Sequence, residues 1–158
     1  MNVLVLGIGN ILMTDEGAGV HAVEELKKRF RLPEGVEVLD GGTSGLELLP
    51  HIANRDCLMI VDAVRGGKPP GSVMVFEDEE IPASLSAKLS PHQIGLSDLL
   101  FAARLKGELP KRIVLFGIEP GIVRTGLGLS EAVRAGMDGL LEAIAERLRR
   151  HSAMWGGS

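Results

Sequence analysis

Two hydrophobic periods take turns along this chain, and the switches between them mark out an ordered series of elements. Short runs rich in Val, Ile, Leu and Phe, at Val3 to Leu6, Val36 to Leu39, Cys57 to Val61, Val73 to Phe76 and Arg112 to Phe116, predict strands. Between them, apolar residues recur at helical spacing. Val20, Val23, Leu26 and Phe30 predict a helix from about Glu16 to Phe30. Val133, Met137, Leu140, Leu141, Ile144 and Leu148 predict another from Ser130 to Arg150. A short helix is expected from Leu46 to Ala53. A further one is opened by Ser90-Pro91-His92-Gln93 and runs through Arg104, with proline suited to a first helical position. Strand and helix in alternation predict a single layered α/β domain over residues 1–150, followed by a frayed tail at 151–158. The turn-rich Gly66 to Gly71 leaves no room for a crossover helix, so the fourth strand should run antiparallel to its neighbour. Glu77 to Ser90 reads as irregular surface.

Composition narrows the function. The chain has 158 residues and is 45% apolar, enough for one domain with a real core. Its 17 basic and 21 acidic side chains give a net charge of −4, against the basic excess of a nucleic-acid binder. Aromatics make up 3% and Tyr is absent, so stacking platforms for bases are lacking. The basic clusters Lys27-Lys28-Arg29 and Arg147 to Arg150 read as solvated helix faces or partners of helix C-termini. One cysteine, Cys57, excludes an internal disulfide and a cysteine-rich metal site, and its strand position suits a small packed hydrophobe. No signal-peptide pattern is visible at the start, and no apolar run approaches the roughly 18 residues of a membrane span. A cytoplasmic protein without nucleic-acid or membrane partners is expected.

The candidate chemistry lies at the strand ends. The first strand runs through Gly7-Ile8-Gly9 to Asp15 and Glu16; the second ends in Asp40, the third in Asp62, and the fifth leads to Glu119. In a parallel sheet these C-terminal ends share one edge, where open α/β folds bind ligands. Any single acid there reads most simply as a helix cap or a turn residue. Four such sites together would repel one another unless a cation or a shared proton relieves them. His92, held between Pro91 and Gly95, completes the set: two carboxylates and one imidazole make a metal site with open positions. Imidazole suits nickel and zinc, and oxygen donors tolerate either. His21, His51 and His151 are assigned to surface or supporting roles.

Other motifs fall away. There is no HExxH, no Walker A and no GxSxG elbow. Gly7 and Gly9 supply two glycines of a dinucleotide fingerprint, but Leu12 stands where the third belongs; with Asp40 after the second strand, dinucleotide binding survives as a remote alternative.

Taken in order, Gly7-Ile8-Gly9-Asn10-Ile11-Leu12-Met13-Thr14-Asp15-Glu16-Gly17, Asp40-Gly41-Gly42-Thr43-Ser44-Gly45, Asp62-Ala63 and Ser90-Pro91-His92-Gln93 resemble the [NiFe]-hydrogenase maturation endopeptidases. The resemblance implies a single three-layer domain, with a twisted, mostly parallel five-stranded sheet and helices on both faces. It implies removal of a C-terminal extension from the hydrogenase large-subunit precursor after nickel has entered it. Carried over by position, Glu16, Asp62 and His92 are the metal-contacting trio, and Asp40 matches a position implicated in cleavage. The chain departs from the family at Glu119-Pro120, where many relatives show Gln before Pro, so no role is carried to Glu119.

On this reading the nickel is borne by the substrate and bridges the two proteins, which makes the site a gate against unloaded precursor. Either the metal polarises the scissile carbonyl or the water, or Asp40 or another carboxylate is general base and nickel serves recognition alone. The non-enzymatic alternative is a nickel-dependent precursor-binding protein using the same trio without cutting. Gly7 and Gly9 are expected to let the chain turn so that Glu16 faces Asp62 and His92.

Overall fold

The predicted apolar runs pair into one sheet. A computed structural model describes residues 1–81 and 91–154, and the side chains of all of these except 91–94, 153 and 154. Strands β1 (Val3–Ile8), β2 (Val36–Gly42), β3 (Cys57–Ala63), β4 (Val73–Glu77) and β5 (Arg112–Ile118) are joined by helices α1 (Ala18–Arg29), α2 (Leu49–Ile52), α3 (Pro91–Leu105) and α4 (Glu131–Met154). The sheet order is β2-β1-β3-β5-β4, with β4 antiparallel to β5 and all other pairs parallel.

Strand alternation divides the interior into two cores. Val3, Val5, Met59 and Val61 face α1 and α4, whereas Leu4, Leu6, Leu58 and Ile60 face α2 and α3. Helices therefore cover both faces, and β1 and β3 are buried along their whole length. Burial also pushes the Cys57 thiol up to about 12, as suits a packed hydrophobe rather than a nucleophile.

Several local expectations are corrected. β4 is antiparallel, but its neighbour is β5 rather than β3. The β3–β4 connection passes the end of β5, where Glu119 binds it: the buried carboxylate accepts from the Gly66 and Lys68 amides at 2.7 and 2.9 Å. The first helix is two pieces, a 3-10 turn at Thr14–Gly17 followed by α1. Gly45–Leu48 is likewise a 3-10 turn that precedes α2. Helix α4 continues past Arg150 to Met154, because His151 is buried at 4% exposure. Burial lowers the affinity of that imidazole for a proton, and Arg147, Arg112 and Arg150 lower it further against the opposing pull of Glu77. Arg147 is not part of a solvated face, since it pairs with Glu77 of β4 and is largely covered. Residues 82–90 of the expected irregular stretch, and 155–158 of the tail, lie outside the described residues.

Candidate functional site at the sheet switch point

After β1 the chain turns toward β2 on one side, and β3 is laid down on the other side of β1. The β1/β3 junction is thus the point where strand order reverses, the place at the carboxyl ends of the strands where open α/β sheets bind ligands. Glu16 sits in the 3-10 turn that follows β1, and Asp62 sits at the end of β3. That turn packs directly against β3, which brings the two acids to the same junction. Asp62 is fully buried and Glu16 half-buried, so of the two only Glu16 has surface open to solvent. Asp62 continues the Leu58–Ile60 side of its strand, the side covered by α2 and α3. Its Oδ1 accepts from the Ala63 amide at 2.8 Å.

His92 lies in the first turn of α3, the helix over that same face; its side chain lies outside the described residues. Among the described residues no group of three metal-binding side chains is gathered. The donors around the junction are carboxylate oxygens, hard ligands that accept a divalent ion and that an imidazole would complete for nickel.

Asp40 stands apart. It pairs with Gly7 across β1, two strands from Asp62, and strand alternation puts it on the Val36–Val38 side, toward α1 and α4. Two strand spacings make roughly 10 Å. Asp40 is exposed and has no hydrogen-bond partner among the described residues. Its strand ends in an irregularity, since the β1–β2 register shifts between Gly7 and Ile8.

The turn that carries Glu16 is fastened from below by its neighbours. Asp15 is 0% exposed, and its carboxylate accepts four hydrogen bonds. Oδ2 takes the Gly121 and Ile122 amides at 2.8 Å each and the Ser130 hydroxyl at 2.7 Å, and Oδ1 takes the Ser130 amide at 2.7 Å. Burial alone would raise this carboxyl's pKa; the bonds from Ile122, Ser130 and Gly121 outweigh it and hold the group below the usual carboxylate range. Thr14 donates its hydroxyl to the Ile122 carbonyl at 2.6 Å and adopts φ +48. A left-handed threonine costs roughly 1–2 kcal/mol, so the surrounding bonds impose this backbone. The segment is further stitched to the β5–α4 loop by Gly126, whose amide donates to the Leu12 carbonyl at 2.8 Å and whose carbonyl accepts from Thr14 N–H at 3.0 Å.

The two glycines of the opening motif serve different ends. At Gly9, φ is +142 and an added Cβ would lie 2.0 Å from the Glu16 carbonyl oxygen, so only glycine lets the Glu16 turn fold back on the strand exit. Gly7 is no turn residue: it lies within β1, and a Cβ there would strike Val23 and the Gly19 carbonyl, so it admits α1 to the sheet. α1 itself begins only at Ala18, well beyond Leu12, so no helix N-terminus opens from the glycine turn to receive a pyrophosphate.

Asp15 and Glu119 were legible as acids at the sheet edge, but their partners are backbone amides far away in sequence. Ser130, just before the final helix, adds the one hydroxyl among them.

Comparison with known proteins bears on this site. A family model described as hydrogenase maturation protease, HycI, matches residues 20–147. The chain is 49% identical over 150 residues to the hydrogenase 2 maturation protease of Escherichia coli (strain K12), an alignment that takes in 94% of this chain and 92% of that protein. The solved hydrogenase maturating endopeptidase HybD from E. coli superposes with a TM-score of 0.90 at 48% identity, covering 96% of this chain and 94% of that one. The [NiFe] hydrogenase maturation protease HybD from Thermococcus kodakarensis superposes with a TM-score of 0.76 at 35% identity, covering 94% and 99%.

Proposed function

This chain belongs to the hydrogenase maturation protease family and is an endopeptidase; on that premise we propose that it removes the C-terminal extension of a nickel-loaded [NiFe]-hydrogenase large-subunit precursor. The observation that carries the reading is the meeting of Glu16 and Asp62 at the switch point of the sheet, under the helix that bears His92. The match to named proteases favours cleavage over the binding-only alternative. The location proposed is the cytoplasm; among the described residues no helix is long and apolar enough to cross a membrane.

Nickel is part of the substrate in this account. Glu16, Asp62 and His92 contact the ion that the precursor presents, and the half-buried position of Glu16 leaves it open to an incoming surface. An unloaded precursor lacks the charge that bridges the two surfaces. Asp40 lies roughly 10 Å from the strand of Asp62, the span of about three extended residues. We therefore assign Asp40 to the peptide and not to the ion: it takes the proton from the attacking water at a bond a few residues beyond the nickel. Its exposure and freedom from hydrogen bonds among the described residues support that role.

The division of labour is testable by separating binding from cleavage. Glu16→Gln, Asp62→Asn and His92→Ala should each weaken capture of the nickel-loaded precursor. Asp40→Asn should bind it normally yet lower the turnover rate by roughly 10²-fold or more. Binding is measured by co-sedimentation and cleavage by loss of C-terminal mass. Undiminished binding and processing in all three trio variants would remove the metal assignment, and full turnover by Asp40→Asn would remove the base.

A further inference from the structure

A cavity of about 220 Å³ opens beside the catalytic edge. It is walled by Ile8 at the end of β1, by Gly42 at the end of β2 and Gly45 and Leu48 beyond it, and by Gly95 and Leu99 of α3. Its position is continuous with the candidate site, since the glycine loop follows Asp40 directly and α3 is the helix that carries His92. Among the described residues its walls hold no charged side chain. Small-molecule pockets usually hold roughly 300–1,000 Å³, so this cavity is undersized for a free cofactor and suits one bulky side chain.

The glycines explain why the space exists. Cβ atoms added at Gly45 or Gly95 would meet no atom of the described residues within 4 Å. Gly45 has φ +60, a conformation that itself favours glycine. Gly95 has no such reason: it lies inside α3, where glycine weakens the helix relative to almost any other residue. A residue that costs helix stability while leaving a hole in an apolar wall is explained by something that enters the hole.

We propose that this cavity is a specificity pocket that receives one aliphatic side chain of the precursor, close to the scissile bond. The inference rests on the precursor reading given above. It makes the glycine loop and α3 two jaws that seat the side chain just beyond Asp40 of β2, and the helix side of the pocket fixes the register of the peptide relative to the nickel.

The test fills the pocket from within the helix. In the series Gly95→Ala, Gly95→Val and Gly95→Leu, kcat/KM on the nickel-loaded precursor should fall stepwise with side-chain size, by roughly tenfold or more for leucine. Thermal stability should not fall, because each added group enters open space. Leu105→Ala, exposed on the same helix, should cleave as the wild type does. The matching arm changes residues flanking the scissile bond of the precursor to alanine one at a time. At a single apolar position this change should impair wild-type cleavage and restore cleavage by Gly95→Leu relative to the natural precursor. Unchanged kcat/KM for Gly95→Leu, or a loss that no precursor substitution relieves, overturns the pocket while leaving the protease reading intact. Failure of the wild-type protein to cut the loaded precursor overturns that reading, and the pocket assignment with it.

Discussion

Asp15 shows at the scale of one residue how the turn that carries a candidate site residue, Glu16, is fixed by its neighbour. Its carboxylate is fully buried and accepts from amides and a hydroxyl of the β5–α4 loop. Replacing it by Asn sets an amide N–H₂ against donors, which should cost roughly 2–3 kcal/mol of stability. The pH dependence has a definite sign. The folded carboxyl is held below its ordinary pKa of about 3.9, so its contribution is complete above that value and is lost as pH falls below it. Urea unfolding of wild type and Asp15→Asn at pH 7 and at pH 3 should therefore show a gap that narrows in acid. A gap of equal size at both pH values would mean that the charge of Asp15 does not hold the loop.

At the scale of elements, the sequence made the strands and the long helices plain and hid the connections. β1 and β3 are buried on both faces, so their apolar runs were unambiguous. The amphipathic stripe of α4 faced one core throughout. The 3-10 turn at Thr14–Gly17 escaped notice because it is imposed from outside: Thr14 takes a left-handed conformation that its own preferences oppose, held by Ile122 and Gly126 more than a hundred residues away. The partner of β4 was equally illegible, since a short loop fixes strand direction but not which edge the strand joins. Gly9 links the two levels. Its contact with the Glu16 carbonyl leaves no room for a methyl group, so Gly9→Ala must push the Glu16 turn away from β1. We expect a loss of roughly 2–4 kcal/mol in thermal or urea denaturation, together with cleavage reduced beyond what the remaining folded fraction explains. Wild-type stability in Gly9→Ala would show that the turn is not set by this contact.

The whole molecule is a sheet whose strand order creates the site. Because β1 and β3 lie side by side while their connections diverge, the exits of both strands lie at one junction, and the acids that follow them are brought together without being near in sequence. That much was legible: Glu16, Asp40 and Asp62 could be placed at strand ends from the chain alone. Strand order and pleat were not, and they separate Asp40 from Asp62 by one intervening strand and by the face it occupies. Glu119, expected among the edge acids, is instead tied to the β3–β4 loop. The proposed ion-contacting junction and peptide-handling strand end therefore lie side by side, the arrangement that a protease inspecting a metal before cutting would require. The most direct test is the mass of the large-subunit precursor after incubation with this protein, measured with and without nickel in the precursor. The account predicts loss of the C-terminal extension from the loaded form alone; equal cleavage of both forms, or cleavage of neither, would contradict it.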